Sequence, residues 1–183
     1  MMMNRISKHR NQKGATLLEA LAFLGIAAIV IVGAISMFRS AQGSAQSNAM
    51  FQQLQSFRSA MKTLYGGQTN YSNTGAAGTG GLNQILINAK AVPDTLRVAG
   101  AVINNAFSGV VTVDGQNIDY TVRFTAVPQE VCVKVAPQTG SSWEGLTING
   151  NAEISTAAGP VPVATASAQC VAGNNNILTW RGR

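Results

Sequence analysis

The sequence predicts an α+β fold: a long N-terminal α-helix, one half transmembrane and the other amphipathic, packed on an antiparallel β-sheet globular head. Three observations carry this expectation. Ala15 to Phe38 is almost wholly apolar, and those 24 residues are enough to span a bilayer. No proline occurs between Met1 and Val92, so nothing in that stretch forces a helix to break. From Gly109 onward, short β-branched runs alternate with turn residues, the texture of a sheet.

The first element is a basic leader. Arg5, Lys8, Arg10 and Lys13 precede Gly14, and no acid does. Such a segment holds an N-terminus in the cytoplasm. The chain's formal charge of +6 belongs mostly to it: thirteen basic residues less these four leave nine against seven acids, a net charge of +2. A nucleic-acid-binding arm would want aromatic residues interleaved with the charges or a recognised fold, and neither is present.

The helix follows. Ala20 to Ile35 has no polar side chain, yet Glu19 stands at the head of this run. A carboxylate inside a membrane segment costs about 2.5–3.5 kcal/mol on insertion scales, so it calls for a function and a partner. Past Arg39 the composition turns polar, and Met50, Leu54, Phe57, Met61 and Leu64 recur at spacings of 4, 3, 4 and 3, one helix face. Lys62 suits a last turn and Gly66-Gly67 a stop. A helix from about Ala15 to Tyr65 would be about 75 Å long. An apolar half of that length, once out of the membrane, has to bury itself against copies of the same chain.

Residues 67–81 read as loop. Leu82 to Ala91 predicts a short helix with Leu82, Ile85, Leu86 and Ala89 on one side, ended by Pro93. Val110 to Val113 and Ile118 to Phe124 predict a hairpin, with Asp114-Gly115 as its turn signal. Gln129 to Val135 fits a strand by its alternating valines and a helix by Pro128 and Glu130. Leu146 to Asn149 and Ile177 to Trp180 are further strands, separated by a small-residue stretch at 155–169.

The head holds two cysteines, Cys132 and Cys170. With the leader inside, this domain lies outside the cytoplasm, where disulfides persist. A bridge would stabilise by about 3–4 kcal/mol on the chain-entropy model; two buried thiols are the alternative. His9, the one histidine, lies in the leader, which removes histidine-dependent catalysis and the common His-containing zinc sites from a processed chain. The acids after residue 43 are scattered: Asp94, Asp114, Asp119, Glu130, Glu144 and Glu153. No phosphate-binding glycine loop is present. No catalytic residues, cofactor or metal are expected, and the sequence points away from an enzyme.

Lys13-Gly14-Ala15-Thr16-Leu17-Leu18-Glu19-Ala20, ahead of a long helix and a C-terminal cysteine pair, resembles the processing site and layout of type IV prepilins. Leu64 to Tyr71, Val92-Pro93-Asp94, Asn104 to Val113, Val127-Pro128 leading to Cys132, and the Cys170 to Trp180 segment are similar to the type IVb branch and its PilS-type major pilins. The resemblance implies the pilin fold, with a leader at 1–14, a transmembrane and filament-core helix at 15–43, and a globular head at 44–183. It implies cleavage between Gly14 and Ala15 by a prepilin peptidase, N-methylation of Ala15, and a role for Glu19 in subunit assembly, neutralising a neighbour's N-terminal amine. Ala15 departs from the larger apolar residues frequent at that position. The implied partners are other copies of the chain in a homopolymeric filament, the peptidase and methyltransferase, and an inner-membrane assembly machinery. The precursor and subunit pool would sit in the inner membrane with the head facing the periplasm, and the pilus outside the cell.

Rival readings fit less well. The apolar core of a secretory signal peptide is shorter and ends at a small-residue cleavage site. A permanently anchored single-span protein leaves Glu19 unexplained. A minor pilin or a secretion pseudopilin differs from a major pilin in copy number, and an enzyme on a membrane tether is disfavoured because the head has neither a histidine nor clustered acids. Trp143, Trp180, Tyr65 and Tyr71 are expected to pack in the core rather than serve as surface contacts.

Overall fold

The computed structural model describes residues 16–68, 70–71 and 81–183. Its elements, in chain order, are α1 (Leu17–Tyr65), α2 (Asn83–Asn88), β1 (Arg97–Ala99), β2 (Val102–Asn104), β3 (Val110–Gln116), β4 (Asp119–Val127) and α3 (Gln129–Gln138). A 3₁₀ turn (Gly140–Ser142), β5 (Gly145–Ile148), β6 (Ile154–Ser155), α4 (Val163–Gln169) and β7 (Asn176–Gly182) complete the chain. It divides into two compact units, one ending at Ala41 and the other running Gln42–Arg183.

The second unit is a helix-on-sheet layer. Its seven strands run in the order β1-β2-β3-β4-β7-β5-β6, every neighbouring pair antiparallel. The last strand in sequence therefore sits inside the sheet, between β4 and β5. The alternation of β4 and β7 sends Tyr120, Val122, Phe124, Leu178 and Trp180 inward. Met50, Leu54, Phe57 and Met61 of α1 are buried in the same core, with Leu64 half-buried beside them, so the expected stripe is the packing stripe. Phe57 meets Phe124 edge-on at 6.5 Å, and Phe124 meets Trp180 at 6.0 Å. Each fully buried large side chain contributes about 1.5–3 kcal/mol, which is what holds this half of α1 to the sheet.

Several local expectations need correction. The β3–β4 turn is Asn117-Ile118, with Gln116 paired to Asp119 and Asn117 at φ 51°; Asp114-Gly115 lies inside β3. Gly115 serves close approach there, because a Cβ would collide with the Tyr71 backbone, and Asp114 Oδ1 accepts the Gly81 N–H. Gln129–Gln138 is a helix: Val131, Cys132, Val135 and Ala136 are buried, a helical repeat that outweighs the valine alternation. The buried side of α2 is Leu82, Asn83 and Leu86, while Ile85 and Ala89 face out. Asn83 turns inward because its amide pairs with Val111 O and the Val113 N–H. Lys90 at φ 53°, rather than Pro93, ends that helix; Lys90 and Ala91 donate back to Ile87 and Leu86, a Schellman closure. The 155–169 stretch contains α4, which starts directly after Pro162 and buries Ala166 alone, too weak an apolar pattern to read from sequence.

Candidate functional site

Among the described residues, the chemistry singled out by the sequence lies at the start of α1. Gly14 and Ala15 fall outside the described residues. Thr16 precedes the helix; its Oγ1 accepts the Glu19 N–H at 3.3 Å and its carbonyl accepts the Ala20 N–H at 3.1 Å. This is an N-cap, and it satisfies a backbone donor the helix cannot. Glu19 lies in the first turn, where a negative charge suits the helix dipole, and it is exposed.

Around it the surface is hydrocarbon. Leu17 is 82% exposed, and Phe23, Val30 and Phe38 are each more than 60% exposed. The helix is long and apolar enough to cross a membrane. Glu19 is the one charged residue from Ala15 to Phe38. The arrangement is a single acid at the end of an apolar rod, suited to meeting one cation at one fixed height.

The second unit is held by polar and covalent ties. Cys132 of α3 is bridged to Cys170 at the end of α4, with a Cα–Cα distance of 6.0 Å. Gln129 Nε2 donates to the Cys170 carbonyl at 3.1 Å beside the bridge. Gly43 of α1 is buried, and the Glu130 carboxylate occupies the space a Cβ would need there. Lys134 Nζ donates to Glu130 Oε1 at 2.7 Å and to Ser44 Oγ at 3.0 Å, tying α3 to this turn of α1. Glu130 and Lys134 are the part that no local pattern around Gly43 points to, because Lys134 lies 90 residues beyond Ser44.

The aromatics named from sequence are packing residues. Trp143 and Trp180 are buried, and Tyr65, Tyr71, Tyr120 and Trp143 form a chain of ring contacts at 5.3, 5.0 and 5.9 Å. Burial pushes the Tyr120 hydroxyl well above the ordinary phenol range; nearby Tyr71 adds to this and Arg58 partly offsets it. Trp180 Nε1 donates to the buried Thr139 Oγ1 at 3.1 Å. At the sheet surface, Arg181 grips Glu153 at 2.7 Å and Asp119 at 3.3 Å, and its hydrogen bonds hold the Glu153 carboxyl below the usual range. Among the described residues, no group of three or more His, Cys, Asp and Glu side chains forms a metal-binding cluster.

Known proteins share this sequence pattern and fold. A family model described as PilS N terminal matches residues 44–182. The major structural subunit of bundle-forming pilus from Escherichia coli O111:H- is 30% identical over 158 residues, 83% of this chain and 78% of that protein. The crystal structure of type IV b pilin from Salmonella typhi superposes with a TM-score of 0.60 at 22% identity, covering 73% of this chain and 97% of that one. TcpA, a type IV pilin from Vibrio cholerae El Tor biotype, gives 0.51 at 13% identity, covering 79% and 99%. At those identities, the two structures bear on the fold alone.

Proposed function

The chain belongs to the PilS family of type IVb pilins, and we propose that it is the major structural subunit of a type IV pilus. The observation that carries the reading is the exposed apolar half of α1 with Glu19 at its head, a surface that only lipid or other apolar helices can cover. The chain is made as a prepilin whose basic leader, residues 1–14, stays in the cytoplasm. A prepilin peptidase cuts between Gly14 and Ala15, and Ala15 receives the N-methyl group. Residues 15–43 then wait in the inner membrane, with the head, residues 44–183, on the periplasmic side. An inner-membrane machinery transfers the subunit from lipid into the growing fibre, where its apolar helix is buried among copies of itself.

Glu19 supplies the register. In the fibre its carboxylate accepts the N-terminal ammonium of a neighbouring subunit, so a correctly staggered copy neutralises both charges and a misplaced one leaves both buried and unpaired. The test is Glu19→Gln in cells, reading surface filament yield against membrane subunit level and N-terminal processing. Normal insertion and processing with filaments lost is the expected result. Filaments at native yield would remove Glu19 from assembly, and loss of the subunit from the membrane would make it an insertion determinant. Replacing Gly14 with a bulky residue should leave full-length precursor; a subunit of normal mass would put the cleavage elsewhere.

A further inference from the structure

Ile148 to Asn151 forms a tight turn closed by the Asn151 N–H on the Ile148 carbonyl at 3.0 Å, with Asn149 at φ 54° and Gly150 at φ 74°. Asn-Gly is also the dipeptide most open to self-modification. The Gly150 nitrogen attacks the Asn149 side-chain carbonyl carbon, a C–N bond forms and ammonia leaves. Water then opens the resulting cyclic imide at either carbonyl, giving aspartate or isoaspartate at position 149. Gly150 offers no obstacle, since a Cβ there would have nothing within 4 Å.

The Asn149 side chain is not free to be attacked. Its Nδ2 donates to the Gln169 carbonyl at 2.8 Å and to Asn176 Oδ1 at 2.9 Å, and its Oδ1 accepts the Ile177 N–H at 2.8 Å. Asn176 is fully buried and extends the network: its Oδ1 accepts the Val171 N–H at 2.7 Å, and its Nδ2 donates to the carbonyls of Val171 and Val127. Two amides thus fasten the β5–β6 turn, the segment after Cys170, the end of β4 and the start of β7.

We infer that Asn149-Gly150 is a latent deamidation site disarmed by this amide latch, so that the reaction marks subunits whose Gln169–Asn176 segment has come away. The mark resists reversal. After conversion of Asn149 to aspartate, the new carboxylate would turn an acceptor toward the Gln169 carbonyl and Asn176 Oδ1, where the amide supplied donors; the Gln169 carbonyl would lose that donor, and Asn176 Oδ1 would keep the Val171 N–H but face a negative oxygen. Isoaspartate would lengthen the main chain inside a two-residue turn and shift the strands it joins.

The test incubates the full chain in detergent micelles at mildly alkaline pH and physiological temperature, oxidised and folded in one arm, reduced in urea in the other. Peptide mapping then reads conversion at position 149. Conversion at least ~10-fold slower in the folded arm is expected, a ratio equivalent to about 1.4 kcal/mol of opening free energy. Equal rates in the two arms, or no conversion in the unfolded arm, would overturn the proposal. In a second measurement, Asn149→Asp should lower the melting temperature and speed hydrogen exchange at the Val171 N–H; no change in either would remove the latch.

Discussion

The two halves of α1 are one continuous helix built for two different surroundings. From Gln42 to Tyr65, Met50, Leu54, Phe57 and Met61 are almost inaccessible and most of the polar residues lie on other faces. From Leu17 to Ala41, large apolar side chains point in every direction and none is buried. The C-terminal half is stabilised by its own chain, and the N-terminal half buries none of its large apolar side chains against the described residues. Hydrophobicity alone therefore does not say where a helix is buried; the width of its apolar stripe does.

The strongest challenge to this contrast is truncation of one large side chain in each half. Phe57→Ala should lower the unfolding free energy of the second unit by about 3–5 kcal/mol, as large core cavities do. Phe23→Ala should leave that transition unchanged and reduce filament yield instead. Denaturant titration of both variants in micelles reads the first effect, and sheared-filament mass reads the second. A Phe23→Ala variant that destabilises the second unit would mean the apolar half is not energetically separate.

Removing the covalent tie acts on one half alone. Cys132→Ser with Cys170→Ser should cost about 3–4 kcal/mol on the chain-entropy model, seen as an earlier thermal transition of the second unit, with the apolar half keeping its helical signal.

Two glycines of α1 divide along the same line. Nothing lies within 4 Å of a Cβ added at Gly25, so Gly25→Ala should firm the helix by up to about 1 kcal/mol. Gly43→Ala carries the same propensity gain but must displace the Glu130 carboxylate and disturb Lys134, so its net effect should be smaller or reversed. Hydrogen exchange along α1 separates the outcomes.

The smallest effect is electrostatic and belongs to the sheet. Glu153 titrates lower when folded than when unfolded, because Arg181 favours its charged form. Its contribution is therefore complete above the ordinary glutamate range and fades as pH falls through the lower folded value. Both partners are partly exposed and screened by solvent, so Glu153→Gln should cost under about 1 kcal/mol and flatten the acid limb of stability against pH.

Period and composition were enough for part of this protein. The apolar length and the 4-3-4-3 stripe are local, and each physical consequence follows within a few helical turns. β4 and β7 were legible for the same reason, since alternation over a half-buried strand leaves a two-residue period. The cysteine bridge needed one further premise, the side of the membrane on which the domain lies. Tertiary structure decided the rest. The Asp-Gly step is strand, paired to Thr121 and Tyr120, its glycine leaves room for the Tyr71 backbone, and Asn117-Ile118 took the turn. The alternating valines of 131–135 became a helix because the core covers Val131, Cys132, Val135 and Ala136 together and leaves Val133 half-buried, which a strand's two-sided alternation cannot do. Asn149 and Asn176, separated in sequence, joined as a latch only when β7 entered the sheet between β4 and β5. Contacts of that kind depend on which segments meet, and no local pattern records the meeting.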